Sequence, residues 1–156
     1  MVKLLAAASG SRGMAGGQAI DLGSVGKALT VPELELMHIH KTGALIRAAA
    51  LLGARCGNGI GDGELAQVDA FAKCVGLAFQ VVDDVLDAES STATLGKTAG
   101  KDAMANKPTY VSAMGMARAR EFANELRQQA LAAVAVFGPR AQRLRELADF
   151  IVLRKF

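Results

Sequence analysis

Gln80, Asp83, Asp84 and Asp87 fall within the segment Gly76-Leu77-Ala78-Phe79-Gln80-Val81-Val82-Asp83-Asp84-Val85-Leu86-Asp87. On a helix, Gln80, Asp83 and Asp87 lie within about 60° of one another, and Asp84 stands at the edge of that sector. Leu77, Val81, Val82, Val85 and Leu86 take the other sides. Carboxylates one turn apart repel, so the stripe is destabilising without a counter-ion. A hard divalent cation removes that repulsion, and an oxygen-only ligand set points to Mg²⁺. A solvated acidic face near a helix end is the plainer alternative. The apolar surround favours a site.

Lys41 is the second such residue, in His38-Ile39-His40-Lys41-Thr42-Gly43. On a helix it shares a stripe with Leu34, Met37, Leu45, Ala48 and Leu52. A lysine amid apolar neighbours is costly to bury without an anion. It either snorkels from the edge of the stripe or clamps a diphosphate, helped by Thr42. His38 and His40 read as packing or surface residues, because positions two apart on a helix face different ways. The third feature is the loop Thr94-Leu95-Gly96-Lys97-Thr98-Ala99-Gly100-Lys101-Asp102. Its Gly96-Lys97-Thr98 is not a Walker motif: Ser91 stands where the first glycine is required, and a helix precedes it in place of a strand. The loop sets Lys97 and Lys101 just beyond the acidic stripe, which suits a polyphosphate-like ligand. An ordinary solvated linker is the alternative.

The elements that must position these groups are helices. The 156 residues are 51% hydrophobic but only 4% aromatic, with three prolines, a composition of packed helices in a single domain spanning 1–156. No stretch alternates with period two long enough for a sheet strand, so the fold class is all-α. Residues 2–9 read as the end of a helix, followed by glycines that loosen the chain and a short apolar turn through Ile20. Val31-Pro32 opens a long helix to about Cys56. A third helix runs from about Gly63 to Glu89, and residues 90–106 read as a loop. Pro108 opens another long helix to about Phe137, Gly138-Pro139 breaks it, and a last helix covers about 140–153. The mean hydropathy of +0.26 is high for a small helical domain. Either one helix is fully surrounded or an apolar face meets a partner chain. A net charge of +3 without basic residues interleaved with aromatics argues against nucleic acid. The longest apolar runs are shorter than the roughly 20 residues a membrane span needs. Cys56 and Cys74 lack metal or redox spacing and read as two buried thiols of a cytoplasmic protein.

In order along the chain, Gly16-Gly17-Gln18, His40-Lys41-Thr42-Gly43, Phe79-Gln80-Val81-Val82-Asp83-Asp84-Val85-Leu86-Asp87, Gly96-Lys97-Thr98-Ala99-Gly100-Lys101-Asp102 and Lys107-Pro108-Thr109-Tyr110 resemble the trans-isoprenyl diphosphate synthase family, the bacterial farnesyl type above all. The resemblance implies an antiparallel helical bundle around a deep cavity, usually a homodimer. It implies Mg²⁺-dependent joining of an allylic diphosphate to isopentenyl diphosphate. Asp83 would ligate a Mg²⁺ on the allylic diphosphate, with Asp84 and Asp87 completing or supporting that site. Lys41 and Lys97 would hold the same diphosphate, Lys107 would bind substrate, and Thr42 and Gln80 would line the cleft near the reacting carbons. Asp83 and Lys41 would face one shared cavity. Arg154-Lys155 resembles the basic tail that folds over the family's site.

The pattern also departs from the family. Asp83-Asp84 is the chain's only Asp-Asp pair, so the family's first aspartate-rich motif and the basic residues that bind isopentenyl diphosphate are missing. The resemblance therefore implies a C-terminal half that begins about mid-fold and works with an N-terminal half. The alternatives are a non-catalytic subunit that pairs with an intact synthase, and an unrelated helical Mg²⁺-binding protein.

Overall fold

The computed structural model describes residues 1–57, 59–94 and 107–154. Among them the regular structure is entirely helical: α1 (Val2–Ser9), α2 (Met14–Gly23), α3 (Val31–His38), a π-helical turn (Ile39–Gly43), α4 (Ala44–Cys56), α5 (Asp62–Thr94), α6 (Tyr110–Met114), α7 (Met116–Ala133), a 3₁₀ segment (Ala135–Ala141) and α8 (Gln142–Leu153). The all-α expectation holds.

α5 is the central element and packs on α4, α7, α8 and the π turn. Its Phe71, Ala72, Val75, Ala78, Val81 and Val85 are buried. α7 meets it with Ala119, Ala123, Leu126, Ala130 and Ala133, a buried row at spacings of four and three. Four alanines in that row bring the two helices close. A stretch of α5 is long and apolar enough to cross a membrane by length and composition, but much of it is this buried core.

Five features differ from the sequence reading. Residues Met14–Gly23 form a full helix where a short turn was expected. The helix opened by Val31-Pro32 is interrupted by the π turn at Ile39–Gly43. α5 continues through Thr94, past the expected start of the loop. The helix after Pro108 breaks at Gly115, whose φ of 82° favours glycine, and its expected last turn is 3₁₀. The thiols differ too: Cys56 is exposed at the end of α4, and only Cys74 is half-buried.

Two backbone contacts fix the region around Lys41. A β-carbon on Gly17 would stand 2.1 Å from the Lys41 nitrogen and 2.5 Å from its Cα, so α2 lies directly on the π turn. A β-carbon on Gly76 would stand 3.2 Å from Gly43 Cα, so the far side of the same turn abuts α5 one helical turn before Gln80. Gly17→Ala must push α2 away from Lys41. We expect it to lower stability by about 1–3 kcal/mol or more. Gly23→Ala, on the same helix with no atom within 4 Å of the new carbon, is expected to be close to neutral. Urea midpoints at unchanged slope check the pair.

Candidate active site

The acidic stripe of α5 faces the π turn and the start of α6. Lys41 Nζ donates to Asp21 Oδ2 of α2 at 2.7 Å, and the Asp21 side chain is only 9% exposed. Lys41 therefore neither snorkels nor stands unpaired: it is held by a buried carboxylate. The close approach at Gly17, one turn before Asp21, makes that pair possible. π turns of this kind displace side chains from the regular helical face and recur at functional sites.

Beside Lys41, His38 is buried, and neither ring nitrogen makes a hydrogen bond. Its ring stacks on Tyr110 with centroids 5.5 Å apart. Burial, then the neighbouring Lys41 charge, lower its pKa to about 4, although Gln80 and Asp21 pull the other way. His38 is thus a neutral packing group, as expected. His40 is half-buried, with Nδ1 3.1 Å from the Arg12 carbonyl oxygen.

The three aspartates have different surroundings. Asp84 Oδ2 accepts the Tyr110 N–H at 2.7 Å, at the first residue of α6. Thr109 and Ser112 close a reciprocal cap on the same helix start. Burial raises the Asp84 pKa to about 6, the Tyr110 N–H opposes, Asp87 and Asp83 add to the rise, and Lys41 lowers it. Asp83 is also raised, chiefly by burial; Arg154 opposes and Asp87 adds. Gln80 Nε2 donates to Asp83 Oδ2 at 3.4 Å, and Arg154 donates to Asp83 Oδ1. Asp87 is exposed.

Asp21, Lys41, His38, Gln80, Asp83, Asp84 and Arg154 therefore form one continuous polar seam. The Polyprenyl synthetase family matches residues 1–137. The chain belongs to the polyprenyl synthetase family. It is 48% identical over 150 residues to a probable farnesyl diphosphate synthase of Bradyrhizobium diazoefficiens, covering 94% of this chain and 45% of that one. A geranylgeranyl pyrophosphate synthase of Catharanthus roseus is 45% identical, covering 96% and 42%. A geranyltransferase of Helicobacter pylori, solved with magnesium and isoprenyl diphosphate, superposes with a TM-score of 0.77 at 30% identity, covering 97% and 50%. The chain thus spans about half the length of the family members it matches.

The isoprenyl synthase fold expected from the motifs is the fold found. Within this polyprenyl synthetase fold, Lys41, Gln80, Asp83 and Asp84 come together where the π turn meets α5, with Thr42 on the same turn and Asp87 exposed one helical turn beyond Asp83. Lys107 is exposed on the bend just before α6, a few residues from the N–H that caps Asp84. Lys97, Lys101 and Lys155 lie outside the described residues. The expected cavity shared by Lys41 and Asp83 does not match the best-formed hollows among the described residues, whose linings contain neither side chain. A hollow of about 310 Å³ lies to one side, among Arg12, His40, Arg47, Lys73, Cys74 and Leu126. Sequence reasoning missed Asp21, whose signal is its place one turn after Gly17 on a common face.

Among the described residues no three histidine, cysteine or carboxylate side chains form a ready metal cage. Asp84 is turned to Tyr110, which leaves Asp83 and Asp87, one helical turn apart, as the carboxylates open to a cation. That donor set fits magnesium, which keeps several waters and binds through one or two carboxylates plus substrate phosphates.

Proposed function

We propose that this chain carries the allylic-diphosphate half of a farnesyl diphosphate synthase site, condensing dimethylallyl or geranyl diphosphate with isopentenyl diphosphate. The observation that carries the reading is Lys41, an ammonium fixed by buried Asp21 beside carboxylates whose pKa values burial has raised. Such charges are expensive to maintain, and an anion bridged by a divalent cation gives them a use. The Helicobacter pylori relative, solved with magnesium and isoprenyl diphosphate, supports the same ligand class.

Asp83 and Asp87 would hold magnesium, with Asp84 in support. Magnesium bound there supplies charge neutralisation for a departing diphosphate. Lys41 donates to the diphosphate oxygens, and Asp21 fixes the amine's direction so that little ordering remains on binding. Gln80 and Thr42 place their oxygens along the path of the allylic carbons, where they stabilise developing positive charge. Lys97 and Lys107 add charge around the leaving group. Asp83-Asp84 is the chain's only Asp-Asp pair, which on the family resemblance leaves out the first aspartate-rich motif and the isopentenyl diphosphate site, so turnover is proposed to require the complementary part of the fold, with a homodimer as the complete enzyme. Exposed Val2, Leu22, Phe150 and Leu153 are consistent with such partners. The farnesyl product follows the Bradyrhizobium relative, and a cytoplasmic enzyme is the corresponding location.

Calorimetric titration with inorganic pyrophosphate tests the site in this chain alone. Binding is expected only with magnesium present, and Lys41→Ala is expected to weaken it roughly tenfold or more. Equal binding without magnesium, or indifference to Lys41→Ala, would remove the reading.

A further inference from the structure

Arg154 follows α8 directly, and its guanidinium lies in the polar seam. It donates from Nη2 to Asp83 Oδ1, and its Cζ sits 4.5 Å from the centroid of the Phe79 ring. The side chain is 14% exposed, and its Nε is buried with no hydrogen-bond partner. Phe79 and Asp83 are one turn apart on α5, so a planar cation fits between the ring face and the carboxylate. Asp83 otherwise faces the like charge of Asp87. The guanidinium therefore supplies the positive charge that the stripe needs, on one of the two oxygens available to a metal.

We propose that Arg154 is the built-in counter-ion of Asp83, and that a divalent cation competes with it for that carboxylate. The proposal rests on the reading of Asp83 as a metal ligand. A divalent ion on either Asp83 oxygen draws on the charge that holds the guanidinium at Oδ1, and the two cations repel across the one carboxylate. Metal binding and the docking of Arg154 therefore compete for one carboxylate, and linkage makes the effect reciprocal: removing the guanidinium tightens the metal site. The end of α8 becomes a reporter of cation occupancy. An empty site keeps its carboxylate neutralised and its Phe79 face covered.

Manganese titration followed by electron paramagnetic resonance, in the full chain, provides the test. Arg154→Met keeps an apolar stem on Phe79 and is expected to lower the manganese dissociation constant roughly tenfold. Asp83→Asn is expected to abolish this binding in both backgrounds. A second measurement needs no variant at Arg154: the Arg154 Nε–H resonance is expected to shift on adding magnesium, and to stay in place with sodium at equal ionic strength. Equal, Asp83-dependent manganese affinity in wild type and Arg154→Met, or an Nε–H resonance unmoved at saturating magnesium, would overturn the proposal alone. Absence of binding to either chain, or binding that survives Asp83→Asn, would overturn the metal-ligand reading and this proposal with it.

Discussion

Asp83→Ala is expected to reduce magnesium-dependent prenyl transfer by roughly two to three orders of magnitude in the chain reconstituted with its complementary half. The variant removes the partly exposed carboxylate proposed to hold the magnesium. It should not prevent association: it leaves Arg154 without its carboxylate, but Asp83 lies on the polar side of α5 and its loss relieves repulsion from Asp87. Lys41→Ala is expected to raise KM for the allylic substrate more than for isopentenyl diphosphate, since only the former is proposed at the ammonium. That change also strands Asp21, a buried carboxylate, and unpaired buried charge is strongly destabilising. The double variant Asp21→Asn with Lys41→Met removes both charges. It should fold better than Lys41→Ala while showing the same kinetic defect. Near-normal rates in Asp83→Ala would make the stripe structural.

The second large effect is a pH dependence with two opposed sources. His38 titrates near 4 in the fold against 6.5 when exposed. The unfolded chain therefore takes the proton first, and the stability due to neutral His38 is present above about pH 6.5 and lost as pH falls towards 4. Asp84 titrates near 6 in the fold against 3.8 when exposed. Its contribution has the opposite sign: present in full below about pH 3.8 and lost as pH rises through about 6. Each amounts to about 3 kcal/mol, so in the metal-free chain they nearly cancel. His38→Phe keeps the stacking on Tyr110 and removes two unbonded nitrogens. Relative to wild type it should gain stability on acidification from about pH 7 to about pH 4. Asp84→Asn keeps an acceptor for the Tyr110 N–H and should lose stability over the same range. Urea unfolding at several pH values checks the tilt. Parallel curves for all three proteins would show that neither group is perturbed as described.

What was legible in the sequence followed from contrasts within a helix. Asp83 and Asp87 stood out because Val81, Val82 and Val85 surround them, and the same three valines are core. Lys41 stood out against Leu34, Met37 and Ala48, which are buried too. Partners far along the chain did not stand out. A helical wheel gives Asp84 a face but not the Tyr110 N–H, 26 residues away. Asp21 was hidden because Gly13, Gly16 and Gly17 read as helix breakers, whereas Gly17 is there for close packing on Lys41. A glycine costs a helix only about 1 kcal/mol, less than that contact returns. The π turn left no signature, since one added residue leaves apolar spacing nearly unchanged on either side. Gly115 was unremarked within Tyr110-Val111-Ser112-Ala113-Met114-Gly115-Met116, although its positive φ ends one helix and starts the next.

The most direct measurement of the central claim is product formation from geranyl and isopentenyl diphosphates by this chain co-expressed with the N-terminal half of the family fold. The account predicts negligible product from the purified 156-residue chain, magnesium-dependent farnesyl diphosphate from the pair, and loss of that product with Asp83→Ala. Robust turnover by the chain alone, or turnover by the pair that is indifferent to magnesium and to Asp83, would contradict it.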